Sequence, residues 1–424
     1  MHTAAPNFGA AFLWFNTLPK FYIFTLPSST MKDKVKALAK EYLKEITQVR
    51  RHLHANPELS FKEYKTSKYI REFLDQHGIP YKAGYVETGI VAHIEGKNPS
   101  KKVIALRGDM DALPITEENE ASYCSQNVGV MHACGHDVHT SSLMGVAKIL
   151  NTLKGEFEGT VKLIFQPGEE VLPGGASLMI KEGALKNPDA ELIIGQHVFP
   201  EMDAGKVGFR RGMYMASCDE IYVTIKGKGG HAAMPQNIID PILIASHMIV
   251  TMQQVVSRHT SPTVPSVLSF GRIEGLGVTN VIPDIVKMEG TFRTMDEEWR
   301  KKAHEIMHRL ATSVAEGMGG TVDFDIQKGY PFLVNEENTT VKSWKLADEF
   351  LGKENVQELD LRMTSEDFAF YSQELPSCFY RLGVRNANKG ITSRLHTSTF
   401  DIDESALETG MGLMSWIALG LLKE

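Results

Sequence analysis

From His132 to His139 the chain reads His-Ala-Cys-Gly-His-Asp-Val-His, so five of eight consecutive residues can bind a metal ion or move a proton. Such groups must be hydrogen-bonded or coordinated once they leave water, and packing alone does not select this density. Three chemistries fit the stretch. A catalytic metal would use Cys134 and His136, whose i, i+2 spacing lets both side chains converge on one point from a loop but not from a helix. A nucleophilic cysteine would pair Cys134 with a neighbouring imidazole. A structural zinc would want four protein ligands, and Cys124, Cys218 and Cys378 are scattered without a paired spacing to complete one.

The elements around the cluster must position it. Leu143, Val146, Ala147, Leu150 and Leu153 recur at helical spacing, so the cluster lies in a loop feeding a helix N-terminus, which favours a thiolate and a carboxylate. Upstream, Val35 to Leu53 forms the apolar stripe of a long helix. That helix ends in Arg50-Arg51-His52-Leu53-His54, whose histidines read as partners of the terminal carbonyls or the helix dipole. Three apolar runs predict strands covered on both faces. Val103 to Leu106 leads into Asp109 and Asp111, Val161 to Phe165 into Glu169 and Glu170, and Leu192 to Ile194 into His197. In an open α/β sheet ligands gather outside the carboxyl ends of the strands, so these acids and this imidazole would face one crevice. Strands alternating with helices through residue 200 imply a mostly parallel sheet.

After Gly212 the pattern becomes β-α-β-β-α-β, the ferredoxin-like split unit, with His231 in a glycine-rich turn. The expected organisation is an α/β catalytic domain formed by residues 31–212 and 329–424, interrupted by a lid or dimerisation domain at 213–328. A hinge is expected near Arg211 and Gly329.

With 424 residues, 42% hydrophobic, 23% charged and a net charge of -7, the chain has the composition of a soluble two-domain protein. The lack of basic excess argues against nucleic acid or an anionic membrane surface as partner. Four cysteines in this length make no disulfide framework, and a reducing cytoplasmic compartment is the simpler reading. Residues 1–30 hold two short apolar runs broken by Asn16, Pro19 and Lys20, short of the roughly 20 residues a membrane span needs. They read as a disordered leader, or as sequence ahead of a start at Met31. Secretion is the alternative, although no basic residue precedes Phe8 as a signal peptide requires.

Ten segments, RRHLHANPELSFKE, ALRGDMDALP, GVMHACGHDVHT, FQPGEE, GQHVFP, GKGGHAAMP, TNVIPD, GTFRT, TSEDF and RLHTSTF, together resemble the M20 family of metallopeptidases and amidohydrolases. The similar branch holds hippurate hydrolases, N-acyl-L-amino-acid amidohydrolases and plant auxin-conjugate hydrolases, and the resemblance spans about Asp33 to the C-terminus. It implies metal ligands Cys134, His136, Glu170, His197 and His396 around two divalent ions, zinc, manganese, nickel or cobalt. It implies Glu169 as general acid/base, Asp111 as a carboxylate orienting a ligand, and His231 as an oxyanion-stabilising residue that reaches over the site, in dimeric relatives from the neighbouring subunit. Asn280 and Arg293 match positions near the oxyanion and the substrate carboxylate, although Arg293 could equally serve a structural ion pair. Asp109 stands where related branches place a ligand histidine, and Gly168 replaces a more usual alanine. Asp137 and His139 read either as residues supporting the ligands or, for Asp137, as a helix cap.

The implied activity is hydrolysis of the amide of an N-acyl amino acid by a homodimer or higher homo-oligomer. A dipeptidase or carboxypeptidase on the same centre is the main alternative. A thiol amidase using Cys134 comes from a different enzyme class, and chelation distinguishes it.

Overall fold

The computed structural model describes residues 1–2 and 30–423, so the leader expected at 1–30 lies almost wholly outside the described residues. The first helix, Met31–Ala55, opens on a capping box in which Thr30 and Asp33 bond each other's backbone N–H.

An eight-stranded sheet carries the larger part of the chain. Its central strands Thr160–Gln166, Val103–Asp109, Leu192–Asp203 and Ser377–Arg385 run mutually parallel, with antiparallel neighbours outside them. All seven residues of Val103–Asp109 and of Thr160–Gln166 are buried, as continuous apolar runs in a two-sided sheet require. Helices Met31–Ala55, His136–Leu153 and Ala406–Leu422 cover one face around a core that includes Val35, Ile46, Val146 and Ile417. Helices Gly175–Lys181 and Ala369–Glu374 pack on a second core containing Ile164, Ile193 and Phe368.

Strand register aligns the site. Asp109 pairs with Gln166, and Arg107 pairs with Gly195, so the first two strands end together and the third carries His197 to the same level. The third continues further than the sequence pattern predicts: Leu192–Asp203 includes His197, which is held extended by pairing with Arg381. On its other side the ladder to Val103–Asp109 stops at Arg107 and Gly195, so His197 lies two residues past the last paired position, level with Asp109.

A separate antiparallel sheet joins Ser266–Glu274, Ile285–Thr294, Asp219–Lys226 and Thr321–Lys328 in that spatial order. Along the chain its elements run β-α-β-β-α-β. Ile221, Val223 and Ile225 point at helices Pro241–Gln254 and Glu297–Gly317, while alternate residues such as Tyr222 face outward. Among the described residues no helix is long and apolar enough to cross a membrane.

Candidate metal centre

The Cys134 loop reaches the sheet through Gly135. Its φ of +84° is left-handed, and an added Cβ would stand 2.4 Å from a Val198 methyl, so the loop passes where only glycine fits. His136 then begins helix His136–Leu153.

All five expected ligands meet. Cys134 Sγ lies 3.5 Å from His197 Nε2 and 3.3 Å from His396 Nε2. Glu170 Oε1 lies 3.4 Å from His396 Nε2 and 3.9 Å from His136 Nε2. Cys134, His136 and His197 form one group of mutually close donor atoms, and Cys134, Glu170 and His396 form a second. The thiol is common to both, as a bridging ligand would be. His396 has a φ of +61°, a left-handed conformation that a non-glycine residue keeps only where surrounding structure enforces it.

The surrounding bonds set the imidazole tautomers. His136 Nδ1 donates to Asp111 Oδ1 at 3.1 Å, which turns Nε2 toward the carboxylates. The other Asp111 oxygen accepts from Ser60 Oγ at 2.6 Å and from the Glu170 N–H at 3.0 Å, so one carboxylate orients two of the expected ligands. His197 Nδ1 donates to the Val198 carbonyl at 2.8 Å, leaving Nε2 for the pocket. Among the described residues, buried His136 Nε2 and Glu170 Oε1 have no hydrogen-bond partner, and a cation between them would satisfy both. Softness and number of donors fit a divalent transition metal.

Electrostatics agree. Burial opposes protonation of His136, but Asp109, Asp111 and Glu170 outweigh it and push the imidazole up to about 10. Burial, then Glu170 and Glu169, hold the Cys134 thiol well above its ordinary range. A cation beside the carboxylates would favour the thiolate, whereas these surroundings by themselves favour the neutral thiol. Glu169 is buried, and burial with Glu366 and Glu170 raises it well above the usual carboxylate range.

Asp109, His136 and His139 also lie close enough to resemble a metal group. Bonding decides against a third site. His139 Nδ1 donates to Asp109 Oδ1 at 2.6 Å while Nε2 accepts from the Val198 N–H at 2.9 Å, so both nitrogens are engaged. Asp109 is held by Arg107 at 2.5 Å. It braces His139 and lies outside both groups that contain Cys134.

Four expectations are corrected. Asp137 caps nothing: helix His136–Leu153 has no side-chain cap, and Asp137 is buried against Arg50 Nε at 2.7 Å. His54 avoids the helix-end carbonyls and lies between Asp137 and Glu117, because burial demands charged partners. His52 stacks on Tyr69. Arg293 forms no ion pair among the described residues; its guanidinium donates to the Met363 carbonyl at 3.2 Å and Ser365 Oγ at 3.3 Å. His132, part of the dense stretch, is buried outside the donor groups and driven down to about 4 by burial.

His231 does not join the cluster within this chain. It is exposed, pairs with Val281, and accepts from the Ala233 N–H at 3.1 Å. Asn280 immediately precedes the strand that pairs with His231, its carbonyl accepting from the Ala232 N–H.

Sequence reasoning assigned no role to Arg107, Gln166, Glu366 or Asp367. Arg107 is fully buried and pairs with Asp109, Glu366 and Asp367. Gln166 donates to Asp367, whose own N–H donates to Glu169 Oε1 at 3.3 Å. The available signal was an arginine closing an otherwise apolar strand, which obliges acidic partners.

Residues 105–419 match peptidase family M20/M25/M40. The chain is similar to the N-acetylcysteine deacetylase of Bacillus subtilis, 39% identical over 378 residues covering 88% of this chain and 96% of that protein. It is equally similar to an IAA-amino acid hydrolase of Arabidopsis thaliana, 39% identical over 375 residues covering 87% and 85%. The crystal structure of a Bacillus subtilis protein described as a dinuclear metal binding peptidase of the same family superposes with a TM-score of 0.77 at 34% identity, covering 91% and 99%.

Proposed function

The chain belongs to peptidase family M20/M25/M40, and from that premise we propose that it is a metal-dependent amidohydrolase cleaving N-acyl amino acids to a carboxylate and a free amino acid. The observation that carries this reading is the convergence of Cys134, His136, Glu170, His197 and His396 around two buried, unpartnered donor atoms. These five residues would hold two divalent ions, zinc, manganese, nickel or cobalt. Bound ions would polarise the scissile carbonyl and lower the pKa of water.

The protein's own groups handle protons and position. Glu169 takes the proton of the attacking water and passes it to the departing nitrogen, and its place beside His136 and Glu170 puts the carboxylate within reach of that water. Asp111 keeps His136 and the Glu170 backbone in place. Arg293 lies at a strand end near the Ser365 loop, where a bidentate contact with a substrate carboxylate is open to it.

We assign residues 213–328 to a lid that also joins two copies. Exposed Ile273, Leu276 and Val278 support that association, and it would let His231 and Asn280 serve a neighbouring copy's site. Four free cysteines support a reducing, cytoplasmic setting.

The test is turnover of N-acetyl, N-benzoyl and aminoacyl substrates before and after chelation, with each of the four metals added back. Loss on chelation and rescue by metal is expected, with acyl amino acids preferred over dipeptides. Activity that survives chelation and dies with iodoacetamide in metal-free buffer would overturn the reading.

A further inference from the structure

The RRHLH segment lies outside the ligand groups, yet its buried charges touch both chain segments that deliver exposed or helical ligands. Arg50 is fully buried. Its Nε donates to Asp137 at 2.7 Å, one residue from His136, and a terminal nitrogen donates to Asp401 at 2.9 Å, five residues from His396. A third nitrogen lies 3.6 Å from Glu404.

His54, one turn later on the same helix, has Nδ1 2.8 Å from Asp137 and Nε2 3.0 Å from Glu117. A carboxylate acceptor at each nitrogen makes it an imidazolium; the contact of Nδ1 with Arg50 is longer, at 3.2 Å. Glu117 leads into a strap across the His396 segment. Glu118 N–H donates to the Ser398 carbonyl at 2.8 Å, Ser398 Oγ returns to Glu118 at 2.6 Å, and the Asn119 amide donates to the Phe400 carbonyl at 3.0 Å. Two routes therefore run from the cation pair to one ligand segment.

That ligand is the one in need of them. The His396 side chain is 53% exposed where His136 is 1%, its backbone is left-handed, and its own N–H bonds only the Ala133 carbonyl. Without external constraint the segment would relax toward ordinary backbone angles.

We propose that Arg50 and His54 are positioning residues that hold the His396 segment in register with the His136 helix, so that the second metal position is preformed. This rests on the metal-centre reading above.

The test uses Asp401→Asn and Glu117→Gln, which cut the two routes separately and leave Arg50 and His54 their Asp137 partner. Zinc titration of the metal-free full-length protein against a chromophoric chelator reads both equivalents. We expect one equivalent to weaken about tenfold in each variant, as when the support of a ligand is lost, while the other, held by Cys134, His136 and His197, stays at its wild-type affinity. Wild-type affinity for both equivalents, with only a lowered melting temperature, would overturn the proposal, and so would equal weakening of both. Wild-type protein that takes up no zinc would sink the metal-centre reading itself, a distinguishable result.

Discussion

Replacing Asp111 by asparagine tests the bond on which ligand orientation depends. Asp111 accepts from His136 Nδ1 through one oxygen and from Ser60 and the Glu170 N–H through the other. Asparagine has one acceptor oxygen, so one side must fail. If its NH2 faces His136, two donors meet, and the imidazole must move its proton to Nε2, the atom the metal needs. If its NH2 faces Glu170, the backbone N–H loses its acceptor and the Glu170 loop is freed. Either orientation forfeits one charge-assisted bond, about 1.5–3 kcal/mol. At 1.4 kcal/mol per decade that is roughly a 10- to 100-fold loss of zinc affinity. Chelator competition on metal-free Asp111→Asn protein measures it, and turnover at saturating zinc should recover most activity. Zinc affinity within about threefold of wild type, with turnover still depressed at saturation, would refute the reasoning, because Asp111 would then act in the chemical step.

Glu169→Gln should keep both zinc equivalents and lose about 10² to 10⁴ in kcat, since it removes proton transfer without removing a ligand; metal analysis beside steady-state kinetics checks it, and near wild-type turnover contradicts it. Gly135→Ala places a Cβ 2.4 Å from Val198 at a φ of +84°, so the backbone alone costs about 1–2 kcal/mol and the melting temperature of the metal-free protein should fall. His54 gives a pH dependence. Burial and Arg50 oppose its charge, but Asp137 and Glu117 leave its pKa raised above the ordinary 6.5. Its stabilising contribution is therefore full below pH 6.5 and lost as pH rises through the raised value. The melting-temperature gap between wild type and His54→Gln should be widest near pH 6 and shrink in alkaline buffer; a gap that widens there would show that His54 is neutral in the fold.

The same residues mark how far sequence reaches. Donor chemistry is local, so a thiol at i and an imidazole at i+2 announced a site, and apolar runs closed by acids announced strands ending at it. The quoted motifs supplied Glu170, His197 and His396, whose separation along the chain no periodicity could bridge. Assignments failed where a residue's partner lay far away. His54 and Asp137 looked like helix-end groups because, along its own helix, His54 has no acid and Asp137 no lysine or arginine within a turn, yet they bind each other across 83 positions. Arg107 finds Asp367 across 260 positions, and that pair, with Gln166, braces the loop beside Glu169. Which of three neighbouring histidines turns a free nitrogen toward Cys134 and Glu170 is likewise set by bonds to Asp111, Asp109 and Val198. The amino-acid order determined which chemical groups exist and which backbone shapes are local minima. Choosing among partners for a buried charge is a long-range electrostatic question, and only the packed sheet and helices bring the competing groups close enough to decide it.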